Sequence, residues 1–158
     1  MLFRSFFAYK FLAQLGPEDI ATNDKESWIT KRNDGSIQAL FWNYTPIAPP
    51  GNETDQTFYK KEQPAKPAPP AVLRITGIKD GRYALNVFRT GYRQNDAYTA
   101  YLGMGAPNQL TRAQVVTLQG AASGAPLETR TVNVKQGSFE QHFEMHENDT
   151  VLVTLTPK

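Results

Sequence analysis

Phe139-Glu140-Gln141-His142-Phe143-Glu144-Met145-His146 decides the fold. Apolar Phe139, Phe143 and Met145 share a parity with Gln141, while Glu140, His142, Glu144 and His146 take the other. Side chains of a strand point alternately to its two faces, so this is a strand with one apolar and one polar face. The two histidines and Glu144 suggest a metal cluster at first sight. At a rise of about 3.4 Å per residue, however, His142 and His146 lie roughly 13 Å apart on a strand, too far for one ion to bridge. No metal ligand is assigned.

Working outward, the same pattern recurs. Residues 127–135 and 139–145 flank Gln136-Gly137-Ser138, and Thr150 to Thr156 forms a closing strand. Ser27–Arg32 and Ile37–Tyr44 flank Asn33-Asp34-Gly35, where Asp-Gly signals a hairpin. In the second of these strands Ile37, Ala39, Phe41 and Asn43 alternate with Gln38, Leu40, Trp42 and Tyr44, so both faces are largely apolar and both should be covered. Ala71–Thr76 and Arg82–Thr90 read as a further strand pair joined across residues 77–81. Short strands separated by turn signals imply a mostly β protein, an antiparallel β-sandwich.

Three stretches depart from strand pattern. Phe6, Phe7, Tyr9, Phe11, Leu12 and Leu15 cover more than one helical stripe before Gly16, which describes a helix held between two surfaces. Residues 17–26 form a polar connector, and 45–70 a Pro-rich loop with seven prolines, few apolar anchors and Phe58-Tyr59 to pin its middle. Arg89 to Val115 packs bends at Gly91, Gly103 and Gly105 around Tyr92, Tyr98, Tyr101 and Met104, a surface suited to contact. Within it Asn95-Asp96 reads as a turn, and Thr111-Arg112-Ala113-Gln114 as a capping box that starts one short inserted helix near 111–120.

Composition removes several classes of function. With 158 residues, a net charge of +2 and scattered Lys and Arg, there is no electrostatic footprint for nucleic acid. Zero Cys excludes a disulfide framework and Cys-ligated metal. The N-terminal apolar run is interrupted by Lys10 and Gln14 and lacks a small-residue cleavage site, so neither a signal peptide nor a membrane helix is assigned, and localisation stays open. There is no phosphate-binding loop, zincin helix, Cys nucleophile or GxSxG elbow, and no cofactor is assigned. The sequons at Asn43, Asn52 and Asn148 are short enough to arise by chance.

The run from Asn95 through Met104-Gly105, Leu110-Thr111 and Gln114-Val115 resembles the C-terminal region of family 39 glycoside hydrolases, the β-xylosidase group. Phe6 to Leu12 with Leu15-Gly16 is similar to the last helix of that family's (β/α)8 barrel. Ser36 to Tyr44 resembles its first post-barrel strand, and Glu147-Asn148-Asp149 before Val151-Leu152-Val153 its closing strand. The resemblance implies that residues 1–16 are the last helix of a truncated barrel and residues 17–158 a C-terminal accessory sandwich. Leu2-Phe3-Arg4-Ser5 matches what a sequencing-adaptor tail encodes in one frame, so the start is expected to be an assembly edge.

The same resemblance implies a retaining mechanism with one Glu as acid/base and another as nucleophile, both on barrel strands upstream of this chain, acting on xylo-oligosaccharides. Glu53 follows an Asn but sits in the Pro-rich loop, so the acid/base role is not carried onto it, and no catalytic residue is assigned. The expected role is therefore a non-catalytic accessory sandwich that packs on and stabilises the barrel, inactive alone. Its candidate interface is Tyr92, Asn95, Asp96, Tyr98, Tyr101 and Met104, facing the barrel or a second copy. The alternatives are an autonomous carbohydrate-binding module stacking sugars on Trp28 or Trp42, and a protein-interaction or assembly domain.

Overall fold

Val151, Leu152, Val153 and Leu155 follow one another in the last strand, and each is fully buried. A strand apolar on both faces must be covered on both, and must have neighbours on both edges. The computed structural model describes residues 4–49, 51, 54 and 56–158, and in it this strand, β8 (Thr150–Pro157), lies at the middle of a six-stranded sheet. The order of that sheet is β1 (Glu18–Ile20), β2 (Ser27–Lys31), β3 (Ile37–Trp42), β8, β5 (Gly81–Thr90) and β6 (Glu128–Val134), every pairing antiparallel. A second sheet holds β4 (Pro67–Thr76) and β7 (Ser138–His146).

The main core fills the space between the sheets. Ile37, Ala39, Phe41, Leu85, Val87, Val132, Val151, Val153 and Leu155 of the large sheet meet Leu73, Ile75, Phe139, Phe143 and Met145 of the small one. Phe41 and Phe143 touch across it with ring centroids 5.2 Å apart. The alternation of Phe139 to His146 is realised as expected, with Phe139, Phe143 and Met145 buried and Glu140, His142 and Glu144 exposed.

The two sheets correct one pairing. Residues 71–76 and 82–90 are not partners: β4 pairs with β7, and β5 with β6 and β8. The link between them crosses from one sheet to the other through Gly77 and Gly81, whose φ values of 75° and 151° lie where other residues are strained. Strands 139–145 and 127–135 diverge similarly. They share a single bridge, Lys135 to Ser138, and then enter opposite sheets. The carboxylate of Asp80 joins the two crossings, accepting the backbone N–H groups of Gln136 at 3.1 Å and Gly137 at 2.6 Å.

Other expectations are refined. The connector at 17–26 contains β1, which pairs with β2. The Pro-rich loop ends earlier than 70, because Pro67 to Pro70 begin β4; with only one neighbouring strand the prolines are tolerated there, and the register slips between Ala68 and Ala71. That loop also holds a short helix, α2 (Gln56–Tyr59). The inserted helix is α4 (Arg112–Ala121), capped by Thr111 and Gln114 reciprocally as the sequence indicated. A further helix, α3 (Ala97–Gly103), precedes it, capped by Asp96. Leu2 and Phe3 of the N-terminal reading, and Asn52 and Glu53 of the loop, lie outside the described residues.

Candidate interaction face

The outer face of the large sheet carries a row read directly from the register: Trp28, Leu40, Leu152 and Phe88 are successive cross-strand partners. On it lies α1 (Arg4–Leu12), whose Phe7 and Phe11 are 1% and 0% exposed. They form a second core with Leu40, Leu152, Ala97 and Ala122, and Phe11 sits 6.2 Å from the Phe88 ring. Full burial of a phenylalanine contributes about 1.5–3 kcal/mol, so two such rings seat the helix firmly. After α1, the Gly16 N–H donates to Thr30 Oγ1 at 2.7 Å, and the Thr30 hydroxyl donates to Gln38 Oε1 at 3.1 Å. These buried polar groups are satisfied as they tie the chain to the sheet.

At about 100° of rotation per residue, Phe6, Tyr9 and Leu12 fall on the side opposite Phe7 and Phe11. They are 45%, 73% and 39% exposed. The helix is therefore apolar on two sides and covered on one. Trp28 ends the sheet row at 45% exposure, its indole N–H fixed on Asp19 Oδ1 at 2.8 Å. Trp42 is half-buried beside the second core.

Of the segment singled out between Arg89 and Val115, Asn95 and Asp96 act inside the molecule. Asn95 adopts a φ of 49°. Its amide donates to the Arg89 carbonyl at 2.7 Å, and its Oδ1 accepts the Gly124 N–H at 2.8 Å, drawing the chain after α4 towards β5. Asp96 is buried and accepts from the Thr99 N–H and hydroxyl. Tyr92, Tyr98, Tyr101 and Met104 are half-buried. The Tyr98 and Tyr101 rings stack 6.3 Å apart. Tyr98 donates its hydroxyl to the Tyr59 carbonyl at 2.8 Å, and Tyr92 donates to Glu62 Oε1 at 2.5 Å, which also accepts from Arg93 at 2.9 Å. The tyrosines thus grip the Pro-rich loop. The Tyr92 hydroxyl, then Arg93, hold the Glu62 carboxyl below its ordinary value. Glu62 was not picked from sequence, whereas Phe58-Tyr59 was read there as the pin of the loop's middle, and the Tyr59 carbonyl does hold the loop to Tyr98.

Asp149 is a second group that sequence reasoning passed over. It is buried, accepts the His146 N–H at 2.9 Å and lies 3.6 Å from the Arg89 guanidinium. Among the described residues, Asp96 and Asp149 are the buried acids, and each is taken up by such contacts. Among the described residues no group of three His, Asp or Glu is placed to hold a metal ion, and no helix is long and apolar enough to cross a membrane.

An antiparallel sandwich with a helix seated on its outer face hosts many unrelated roles, so the fold alone does not assign one. Solved structures narrow the choice. The chain aligns over 98% of its length with an enzyme of glycoside hydrolase family 39 from Xanthomonas axonopodis pv. citri, at 35% identity and a TM-score of 0.91. It aligns over 97% with a monomeric β-xylosidase from Caulobacter crescentus CB15, at 33% identity and a TM-score of 0.90. A family 39 β-xylosidase from Caulobacter crescentus matches at 27% identity and a TM-score of 0.72. No family model and no curated protein matches the sequence. The chain belongs with the C-terminal part of the family 39 glycoside hydrolases, of which it is the β-sandwich region. It spans 30% of the length of the first two enzymes.

Proposed function

We propose that this chain is a non-catalytic accessory β-sandwich of a xylosidase-like retaining glycoside hydrolase, and that it packs on and stabilises the catalytic barrel of the same polypeptide. The observation that carries this reading is the two-sided α1: Phe7 and Phe11 are sealed against the sheet while Phe6, Tyr9 and Leu12 stand outward. A helix in the outer ring of a barrel needs apolar contacts on its flanks as well as beneath it. The Tyr92 to Met104 segment contributes Ala97 to the α1 core, which supports a role for it at the border of that contact.

A second reading, an autonomous carbohydrate-binding module, is favoured by Trp28 alone, whose ring is exposed and whose N–H is fixed by Asp19. One experiment separates the two. The purified chain is assayed on an aryl β-xyloside and titrated with xylo-oligosaccharides; it is then added to the Caulobacter β-xylosidase lacking its corresponding C-terminal region. The accessory reading expects no turnover and weak sugar binding by the chain alone, and recovered activity of the mixture. Turnover by the chain alone overturns it. Tight sugar binding that Trp28→Ala removes favours the module.

A further inference from the structure

Prolines stand at 46, 49 and 50 and again at 64, 67, 69 and 70, so the longest proline-free stretch of the Pro-rich loop is residues 51–63. Its last part carries Lys60-Lys61, both exposed. The loop's other basic residue, Lys66, precedes Pro67, whose ring removes the N–H and fixes φ. Lys60-Lys61 is therefore the place in this loop where a trypsin-like endopeptidase, which takes a basic side chain into an acidic pocket, finds an ordinary peptide bond to cut. The backbone there is held on both sides. The Lys60 N–H donates to the Thr57 carbonyl at 3.2 Å and the Lys61 N–H to the Phe58 carbonyl at 3.3 Å, at the long end of such bonds. One residue before the pair, the Tyr59 carbonyl accepts the Tyr98 hydroxyl at 2.8 Å. One residue after it, Glu62 accepts the Tyr92 hydroxyl at 2.5 Å and Arg93 at 2.9 Å. Cleavage proceeds from an opened backbone, so these two clamps govern how often the pair can be reached.

We infer that Lys60-Lys61 is a cleavage site for a trypsin-like endopeptidase, latched by Tyr92 and Tyr98, and that cutting there leaves a two-piece chain that stays folded. In the step, water adds across the amide after Lys60 or Lys61: the C–N bond breaks, the lysine keeps a carboxylate and the following residue gains an ammonium. No strand is severed, because the pair lies between α2 and β4. The pieces share the large sheet, β3 of the first pairing with β8 of the second along Ile37 to Trp42. Phe7 and Phe11 of the first are buried with Ala97 and Leu152 of the second. The Thr45 N–H of the first also donates to Asn148 Oδ1 of the second at 3.0 Å. What the cut releases is the loop over the tyrosines, since Tyr59 and Glu62 then belong to separate arms, each held at one clamp.

Neither the site nor its latch depends on the accessory reading, and both are tested on the 158-residue chain alone. The chain is digested briefly with trypsin, and the products are followed by mass spectrometry and gel filtration. The expected first cut falls after Lys60 or Lys61, with the two pieces eluting together at the parent's position. Tyr92→Phe with Tyr98→Phe removes both hydroxyl clamps without altering the residues that the protease reads. It should speed this cut about tenfold or more, while cuts at the exposed Lys25 and Lys79 keep their parent rates. A free peptide spanning Gln56 to Gln63 should likewise be cut about tenfold or more faster than the folded chain, a comparison that needs no variant to fold. A first cut at Lys25 or Lys79, pieces that separate, equal cutting of peptide and chain, or a tyrosine variant cut at the parent's rate or faster at all sites alike would overturn the inference.

Discussion

A Cβ placed on Gly91 would stand 1.9 Å from Oδ1 of Asp149. The two residues belong to different turns, at the ends of β5 and β7, and their contact brings the start of the tyrosine segment against the buried Asp149–Arg89 pair. Only a residue without a side chain leaves room for that carboxylate. Gly91→Ala should therefore displace Asp149 from the His146 N–H and destabilise the chain by about 2–3 kcal/mol, within the range of overpacking costs. A denaturant melt within 0.5 kcal/mol of the parent, on the order of ordinary surface substitutions, would show that the turn relaxes freely.

The α1 core makes a second prediction. Phe11→Ala removes a fully buried ring from the cluster with Leu40 and Leu152 and should cost about 3–5 kcal/mol. Tyr9→Ser, on the opposite side of the same helix, should leave thermal stability within about 0.5 kcal/mol. Similar losses from both changes would mean that α1 is not seated as described.

A third concerns the crossings between sheets. Asp80→Ala withdraws the acceptor from the Gln136 and Gly137 N–H groups, and because this site is exposed the expected loss is about 1 kcal/mol. Asp80→Asn, which keeps one acceptor oxygen, should lose less. The check is a pair of urea titrations with unchanged m-values.

The loop grip is pH-dependent with a defined sign. Hydrogen bonds from Tyr92 and Arg93 hold the Glu62 carboxyl below its ordinary value of 4.5. A depressed carboxylate contributes above its unfolded value, and that contribution is lost as pH falls through the folded one. NMR signals of Tyr59 and Tyr92 should therefore stay constant from neutral pH to about 5 and shift together below 4.5. In Glu62→Gln the low-pH step should vanish; a step that persists would place the titrating group elsewhere.

Local periodicity carried much of the fold, and partner choice is where it stopped. The hairpin at Asn33-Asp34-Gly35 and the capping box at Thr111 and Gln114 are encoded within a few residues, and both are present. The 71–76 and 82–90 strands show the same alternation whether they pair edge to edge or face each other across a core, so a hairpin and a crossing look alike in sequence. What separates them is long-range, the docking of β4 on β7 some 70 residues away. Pro67, Pro69 and Pro70 hid the start of β4 because proline forbids a second neighbour, and this strand has one. Between Arg89 and Val115 the tyrosines were legible as a cluster. Asn95 and Asp96 were read as a turn and as candidate interface residues, and their bonds to Arg89, Gly124 and Thr99 were not legible because they depend on where the chain after α4 returns.

The most direct test of barrel docking through the exposed side of α1 uses a variant that leaves the sandwich intact. Tyr9→Asp combined with Leu12→Asp alters that side while sparing Phe7 and Phe11. The measurement is the inactivation half-life of the Caulobacter β-xylosidase lacking its C-terminal region, with parent or variant chain added in excess. The expected result is a longer half-life with the parent chain and none of that gain with the variant, both chains melting alike. Equal protection by the two chains, or no protection by the parent, would contradict docking through α1.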